Sequence, residues 1–497
     1  MSAGFRVIRS AALLLGLQVI QRGLGIISTL ILARLLTPEH FGIVALVTIA
    51  LQFFELLVET GNQQYIVQKK HLSDDDLHTA WSLDVVIKSS VAVLIIASSP
   101  ALARYFDTPE LTLALSVAAL TLPIRALKTP GMMKLAREIN YRPLFRLTLW
   151  QKSLSFITVI GLALVRPDHW AIIAGNVVSA VILAVGSYRV HSFRPRWTLV
   201  HAREQWQFSQ WLLMRGLVGF TRSQIDNLLV SRFFGTEKLG GYNLVREISL
   251  LPALSAIIPM SEPLLAAIAE RKDQAEVLAY RVRLSLAIMI TLLTPITAII
   301  MLFPEAIVAL LLGSDWAAYG PLLRPFGLFF FTFCLFALTS DAVIAQGRVK
   351  PLFWFDVIST LTIIAALLLY GNSNLNTMAW LRGWLAVLTT AALMLLLNRW
   401  CQFGLQRLAF LCLPTATALL AALAAFLALA GRSSLSAAGE PIGVIELLWM
   451  GPLVLVSYGA VFIVACLLIL RHTEEFRQVQ ELLGSLLTRN RHPGDAR

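Results

Sequence analysis

The chain has 497 residues, of which 57% are hydrophobic and 14% charged, and its mean hydropathy is +0.73. Soluble proteins carry about a quarter of their residues as charged side chains, so this composition excludes a water-soluble enzyme and points to a membrane setting. The net charge of +12 invites a nucleic-acid partner, but the basic residues gather in short loops between apolar segments, so no nucleic-acid partner is expected.

The first apolar run covers residues 11 to 33, after Arg6 and Arg9. It is too long for the apolar stretch of a signal peptide and contains Gln18, Gln21 and Arg22, so it is expected to persist as a first transmembrane helix. A bilayer core needs about 20 apolar residues per helix, and on that scale the chain holds about fourteen spans. They are predicted at 11 to 33, 41 to 60, 81 to 103, 111 to 128, 146 to 166, 169 to 188, 209 to 234 and 241 to 268. Six more follow at 284 to 303, 322 to 345, 352 to 370, 376 to 397, 408 to 430 and 446 to 470. The fold class is therefore an all-α polytopic membrane protein.

Orientation follows from the loops. An inside amino terminus puts Arg6, Arg9, Lys69, Lys70, Lys128, Lys134, Arg137, Arg142, Arg194, Arg196, Arg271, Lys272, Arg281 and Arg348 on the cytoplasmic side. The opposite side receives Arg34, Arg104, Arg166, Lys238 and Arg432. Both termini are thus expected in the cytoplasm. The tail from Glu474 to Leu487 places Phe476, Val479, Leu482, Leu483 and Leu486 on one side, which predicts an amphipathic surface helix. No hydrophilic segment is long enough for a soluble domain, so chemistry must occur within the membrane.

The seventh and eighth spans are unusual. The stretch from Trp211 to Ser249 is apolar enough to cross a membrane, yet it carries Arg215, Arg222, Asp226, Arg232, Arg246 and Glu247. Charge at membrane depth is expensive and marks function by default. On a helix, Arg215, Gly219, Arg222 and Asp226 fall at i, i+4, i+7 and i+11, one stripe that should face protein or water. Two readings remain open: Arg222 and Asp226 neutralise each other as an i, i+4 pair, or the stripe lines a cationic cavity for an anionic substrate. Guanidinium stays charged and grips phosphate bidentately, so arginine suits a pyrophosphate in a low-dielectric cavity. Gln18, Gln21, Ser223, Gln224, Asn227 and Asn243 offer hydrogen bonds to a sugar.

An internal repeat joins the first third to the middle. Arg34-Leu-Leu-Thr-Pro-Glu-His-Phe-Gly42 aligns with Arg232-Phe-Phe-Gly-Thr-Glu-Lys-Leu-Gly240, and Leu46-Val47 with Leu244-Val245. Gln18, Arg22, Gly25 and Thr29 repeat the spacing of the charged stripe, one residue out of register with the loop match. An even number of intervening spans makes this a parallel repeat. Domains are accordingly expected at 1 to 208 and 209 to 400, six spans each, with two additional spans at 401 to 470 and a cytoplasmic amphipathic tail at 471 to 497. Proline gathers in the eighth span, at Pro252, Pro259 and Pro263, and occurs at Pro123 and Pro295, where it kinks membrane helices.

The sequence resembles the Wzx-type polysaccharide flippases of the multidrug/oligosaccharidyl-lipid/polysaccharide exporter superfamily. The resemblance rests on Ala33-Arg-Leu-Leu-Thr-Pro-Glu-His-Phe-Gly-Ile-Val-Ala-Leu, Thr60-Gly-Asn-Gln-Gln-Tyr-Ile-Val-Gln-Lys-Lys-His-Leu and Arg137-Glu-Ile-Asn-Tyr-Arg. It continues in Asp226-Asn-Leu-Leu-Val-Ser-Arg-Phe-Phe-Gly and Leu239-Gly-Gly-Tyr-Asn-Leu-Val, and it covers much of residues 15 to 275. Gln63-Gln64-Tyr65 departs from the smaller apolar-alanine pattern of many relatives.

The resemblance implies a two-lobed helical bundle around a central cavity with two extra helices. It implies translocation of undecaprenyl-pyrophosphate-linked oligosaccharide from the cytoplasmic to the periplasmic leaflet of the bacterial inner membrane, for exopolysaccharide or lipopolysaccharide. Cavity arginines of similar flippases lie on the first, seventh and eighth spans, which here carry Arg22, Arg215, Arg222 and Arg246. The implied partners are the lipid-linked substrate and membrane lipid, with a polysaccharide polymerase and chain-length machinery beside them. The alternative is a small-molecule or cation antiporter of the same architecture.

Other charges also lie near membrane depth: Lys88 with Asp84, Lys152, Arg125, Arg382, Glu55, Glu59, Asp341 and Asp356. The substrate-binding set is taken as Arg22, Arg215, Arg222, Asp226, Arg246, Gln18, Lys88 and Lys152. Asp84 and Lys88 sit at i, i+4 and are expected to pair. Asp341 and Asp356 bracket a turn with Arg348 and Lys350 and are expected to anchor it. Arg34 and Arg232 are expected to snorkel at the outer interface. Ser73-Asp-Asp-Asp76 fits a capping box better than a metal-diphosphate site. Cys334, Cys401, Cys412 and Cys466 lie in or beside apolar segments without a C-x-x-C spacing, so neither disulfide nor metal site is expected. No Walker A loop, G-x-S-x-G or H-E-x-x-H motif is present, so no catalytic residue and no cofactor are expected.

Overall fold

The structure, a computed structural model, describes residues 3–57, 66, 69, 72–138, 140–258, 274–430, 443–471 and 473. The proposed tail helix, Pro259, Pro263 and the Gly61-Asn62 motif lie outside the described residues. The described residues are mainly helical and include no strand.

In chain order the helices are α1 (Ala3–Leu35), α2 (Pro38–Leu57), α3 (Asp74–Tyr105), α4 (Glu110–Ala119), α5 (Thr121–Ala126) and α6 (Gly131–Arg137). Next come α7 (Arg142–Val165), α8 (Trp170–Val190), α9 (Ala202–Phe234), α10 (Thr236–Pro252), α11 (Ala275–Leu302) and α12 (Pro304–Leu312). The last are α13 (Leu323–Ala345), α14 (Val349–Tyr370), α15 (Leu375–Cys401), α16 (Leu405–Leu411), α17 (Leu413–Ala430) and α18 (Val444–Ala465).

Among the described residues, eleven helical segments are long and apolar enough to cross a membrane. Each coincides with a predicted span. The other three expected spans differ for identifiable reasons. The span at 111 to 128 is broken into α4 and α5 at Leu120, because Pro123 has no N–H to offer the Ala119 carbonyl. The seventh is the 33-residue α9, which its arginines and glutamines make less apolar than the other spans. The eighth, α10, ends at Pro252 in a π-helical turn, Ala253–Ile257, the bulge a missing backbone donor favours. Pro295, by contrast, sits within an unbroken α11.

Local sequence sets the helix ends. The Leu36-Thr37-Pro38 step separates α1 from α2, with Pro38 opening α2 where its missing N–H costs nothing. Ser73 caps α3 in a complete capping box: its hydroxyl accepts from the Asp76 N–H at 3.2 Å, and Asp76 accepts from the Ser73 N–H at 2.9 Å. Lys69 adds an ion pair to Asp76 at 2.8 Å. Arg137 donates to the carbonyls of Ile66 and Lys69, at 2.7 and 2.6 Å, so this arginine of the Arg137-Glu-Ile-Asn-Tyr-Arg motif braces the approach to α3.

The chain divides into two compact units. The first comprises Met1–Leu244, Leu311–Trp316 and Asp356–Met378. In it α7 packs along α8, α3 along α4, α1 against α7 and α9 against α2. Leu32, Leu36, Val159, Ala163 and Ala171 form one of its cores. The two repeat loops meet inside this unit. Gly42, at the start of α2, lies on the Thr236 carbonyl, and its counterpart Gly240 lies on the Pro38 carbonyl, with no room for a Cβ at either position. Trp316 is fully buried, donates its indole N–H to the Ala33 carbonyl at 2.7 Å and packs edge-on against Phe41.

The second unit comprises Val245–Leu310, Ala317–Phe355 and Ala379–Arg497. Here α17 packs along α18 and α11 against α13 and α17. Ala418, Ala422, Val454 and Tyr458 form one core, and Phe303, Ala306 and Met450 another. Large aliphatic residues elsewhere are exposed, as Leu420, Leu427, Val456 and Leu468 are, on the faces a lipid environment would cover.

Candidate functional site

The charged stripe of α9 is the centre of the candidate site in the first unit. Arg222 is largely buried and donates from Nη1 to Asp356 Oδ1 of α14 at 2.8 Å, an ion pair between residues far apart in sequence. The i, i+4 reading is therefore insufficient, and Asp356 does more than anchor its own turn. Asp226 is fully buried and accepts a hydrogen bond from the Tyr242 hydroxyl at 3.1 Å. A buried carboxylate of this kind is held in place by its donors, since removing them leaves a charge without water.

One helical turn away, polar side chains bind each other. The Asn227 amide donates to Gln224 at 2.9 Å and to Asn243 at 3.0 Å, and the Gln224 amide donates to Gln52 of α2 at 3.2 Å. Gln52 is the member the sequence reading missed. Its signal was an amide three residues before Glu55 in a mainly apolar span. Ser223 is exposed and spends its hydroxyl proton on the Phe220 carbonyl. On α1, Gln18 and Arg22 are exposed. Arg215 lies on α9, but its side chain is outside the described residues. Arg232 is exposed at the end of α9 with its guanidinium over the Tyr105 ring, as expected of an interface anchor.

Between α2, α3, α4 and α9 lies a cavity of about 390 Å³, walled by Phe53, Phe54, Leu102, Tyr105, Phe220 and Leu228. No charged group lines it. Apart from the hydroxyls of Ser98, Tyr105 and Thr221 its described walls are apolar, which suits apolar groups.

Elsewhere in the first unit Lys88 and Asp84 pair at 2.7 Å, as their spacing predicts. Arg125 pairs with Glu55 at 3.1 Å. Lys152, on α7, is exposed. Elsewhere in the unit His169 sits at the N-cap position of α8, where the Asp168 carboxylate accepts from the Trp170 N–H at 2.9 Å, and it is buried between the rings of His40 and Trp170 at 5.7 and 5.3 Å. Neither ring nitrogen has a hydrogen-bond partner, and burial pushes its pKa below the ordinary imidazole value.

In the second unit Arg246 is buried with its guanidinium over the Phe329 ring at 5.2 Å, and Arg382 of α15 lies over the same ring at 4.6 Å. Arg382 was visible in the sequence only as a charge at depth. Its convergence with Arg246 depends on the packing of α15 and α10 around α13. The two guanidinium groups thus share one aromatic ring as a partner.

No cluster with the make-up of a metal site occurs among the described residues. The site as described consists of cations, carboxylates and amides on long helices, joined to one another by ion pairs, hydrogen bonds and ring contacts.

Comparison with known proteins gives the family. The sequence profile of the "Polysaccharide biosynthesis protein" family matches residues 31–321, more than half of the chain. The chain belongs to this polysaccharide biosynthesis family. Among characterised relatives, it is 26% identical over 372 residues to the succinoglycan biosynthesis transport protein ExoT of Rhizobium meliloti (strain 1021), covering 72% of this chain and 74% of the relative. It is 21% identical to the lipopolysaccharide biosynthesis protein WzxC of Escherichia coli (strain K12), covering 71% and 73%.

Among solved structures the lipid II flippase MurJ, inward closed, superposes with a TM-score of 0.71 at 13% identity, covering 90% of this chain and 97% of that one. An inward-facing multidrug resistance MATE family transporter of the MOP superfamily superposes with a TM-score of 0.60 at 15% identity, covering 79% and 95%. These likenesses establish the fold. The family member described here is a multi-pass bacterial membrane protein with the helical architecture of that superfamily, as its sequence motifs implied.

Proposed function

We propose that this chain is a lipid-linked oligosaccharide flippase and not an enzyme. It moves undecaprenyl-pyrophosphate-linked repeat units from the cytoplasmic to the periplasmic leaflet of the bacterial inner membrane, by alternating access, for exopolysaccharide or lipopolysaccharide synthesis. The observation that carries the reading is Arg222, a guanidinium held at membrane depth by Asp356 within a chain of the polysaccharide biosynthesis family. The names of its relatives support the substrate class: succinoglycan transport, lipopolysaccharide biosynthesis and teichuronic acid biosynthesis.

In this reading Arg22, Arg215, Arg222 and Arg246 serve the pyrophosphate, with Arg222 exchanging its Asp356 partner and Arg246 its Phe329 ring for the substrate. Exchange of partners keeps every charge compensated as the substrate moves, which is the requirement for crossing a low-dielectric region. Gln18, with the Gln52, Gln224, Asn227 and Asn243 amides, serves the sugar, and Asp226 fixes the register of α9. The lobes run from 1 to 208 and from 209 to 400, followed by two accessory spans and a cytoplasmic tail, with both termini inside. The reciprocal seating of Gly42 and Gly240 supports the repeat on which that division rests. A polymerase and its chain-length machinery would take the product on the outer leaflet.

The test is the amount and leaflet of undecaprenyl-linked oligosaccharide in cells lacking the protein, rescued by the intact chain or by Arg222→Ala. Build-up on the cytoplasmic leaflet that only the intact chain clears is the expected result. Unchanged lipid intermediates and unchanged surface polysaccharide would reject the flippase and leave a small-molecule antiporter.

A further inference from the structure

The cavity between α2, α3, α4 and α9 serves neither the pyrophosphate nor the sugar of the proposed substrate. Its described walls carry three hydroxyls, and two of these protons are already spent: Ser98 donates to the Ile95 carbonyl at 3.1 Å and Thr221 to the Leu217 carbonyl at 2.9 Å. The third, on Tyr105, stands at the margin, where the ring is 58% exposed. The rest is aliphatic and aromatic surface. A space of about 390 Å³ lined in this way gives water few partners, yet it is as large as a small-molecule site.

Helix α9 turns a different face to this cavity from the one that carries its charged stripe. Phe220, Thr221, Ile225 and Leu228 wall the cavity and centre about 140° around the helix from Arg222 and Asp226. A molecule whose head met the charged stripe would have to wrap around α9 to lay its chain here. The cavity face has a cation of its own. Thr221, Ile225, Leu228 and Arg232 fall at i, i+4, i+7 and i+11, so three cavity-lining side chains lead along one face to a guanidinium at the end of the helix. The rise along that stripe is about 16 Å, close to the depth of one leaflet of a hydrocarbon core about 30 Å thick. Tyr105 joins cavity and cation, since its ring lines the one and lies under the other, 5.5 Å from the Arg232 guanidinium. Arg232 is exposed and, among the described residues, has no ion pair and no hydrogen bond.

An apolar trough one leaflet long that ends at a cation without a carboxylate fits an anionic amphiphile. We propose that this cavity is a phospholipid site, in which one acyl chain of an anionic phospholipid lies along α9 against Phe53, Leu102 and Leu228 and its phosphate meets Arg232 above the Tyr105 ring. The bilayer supplies such a lipid at the same depth. Arg104, the neighbour of Tyr105 in sequence, turns its Nε back to the Pro100 carbonyl at 3.3 Å. A single phosphodiester charge therefore matches the Arg232 guanidinium, where a diphosphate would bring a second charge to be met. The chain restores the dispersion contacts that an empty cavity forfeits, and so supports the packing of α9 on α2. The site is independent of the flippase reading.

The experiment places the purified full chain in nanodiscs with a trace of phosphatidylglycerol carrying a photoactivatable diazirine in one acyl chain, and locates the cross-linked peptides by mass spectrometry. Cross-links are expected on α2 between residues 46 and 54 and on α9 between 220 and 228, with the matching phosphatidylcholine giving about tenfold less. Ala50→Phe, which puts a ring into the cavity from α2, is expected to abolish these cross-links and to leave those at the exposed Trp150 and Leu154 of α7 unchanged. Arg232→Gln is expected to bring phosphatidylglycerol down to the phosphatidylcholine level, and Arg232→Lys to keep most of the preference. Elution profile and thermal midpoint check the fold of each protein, and the two Arg232 variants decide alone should Ala50→Phe fail to fold. Cavity cross-links that survive Ala50→Phe overturn the proposal, as does a preference for phosphatidylglycerol that survives Arg232→Gln. Displacement of the labelled lipid by farnesyl diphosphate at equal concentration overturns it as well, and would give the cavity to an isoprenyl chain.

Discussion

Gly42 lies so close to the carbonyl of Thr236 that a methyl group on its Cα would overlap that oxygen. The relation is reciprocal, since Gly240 stands against Pro38 in the same way and the two pairs occupy equivalent places in the sequence repeat. Close backbone approach at small residues is how helices associate without a hydrophobic driving force. Gly42→Ala and Gly240→Ala are each expected to destabilise the protein by about 1 to 3 kcal/mol, as overpacking does. Gly219→Ala, at an exposed position with nothing within 4 Å, is expected to be neutral. Thermal midpoints of the detergent-solubilised proteins distinguish these outcomes, and equal midpoints for all three would contradict the packing.

The Arg222–Asp356 pair yields a contrast between stability and transport. Both side chains are mostly buried, at 15% and 26% exposure, and removing one partner takes a charge-assisted bond from the other at a cost of about 1 to 3 kcal/mol. Arg222→Ala is expected to reach the membrane in reduced amount and to abolish export. The exchange Arg222→Asp/Asp356→Arg is expected to recover the membrane level but not export, because the guanidinium then sits on the wrong helix. Export by the exchanged pair would show that only the internal bridge matters. Arg246→Ala is likewise expected to abolish export while the protein still inserts.

At the start of α3, Ser73 and Asp76 satisfy each other and Lys69. Ser73→Ala removes one cap and is expected to cost about 1 kcal/mol. Asp76→Ala removes the acceptor of three donors at a site 1% exposed and is expected to cost more. Urea or thermal titration in detergent that ranked Ser73→Ala as the more damaging would refute this order.

His169 is held below its ordinary value of 6.5 by burial. The unfolded chain therefore takes up a proton at a higher pH than the folded one. Stability from this residue is fully present above about pH 6.5 and is lost as pH falls from there through the folded-state value. The thermal midpoint is expected to drop between about pH 7.5 and 5, and His169→Phe to flatten that drop. Parallel curves for the two proteins would exclude the histidine as the cause.

The sequence by itself determined the class of this protein, because membrane insertion depends on local properties: the length of each apolar run and the charges in each loop. It likewise determined helix starts such as the Ser73 cap, and the Asp84–Lys88 pair, since residues at i, i+4 share one face of their own helix. Its repeat was legible at Gly42 and Gly240, where backbone contact demands glycine. Only the tertiary structure decided which charges meet at long range. Asp356 joins Arg222, and Arg382 joins Arg246 over Phe329, because helices distant in sequence present those faces to one another. Such pairings depend on the rotation and tilt of whole helices, which come from packing against neighbours and leave no periodic trace in the chain.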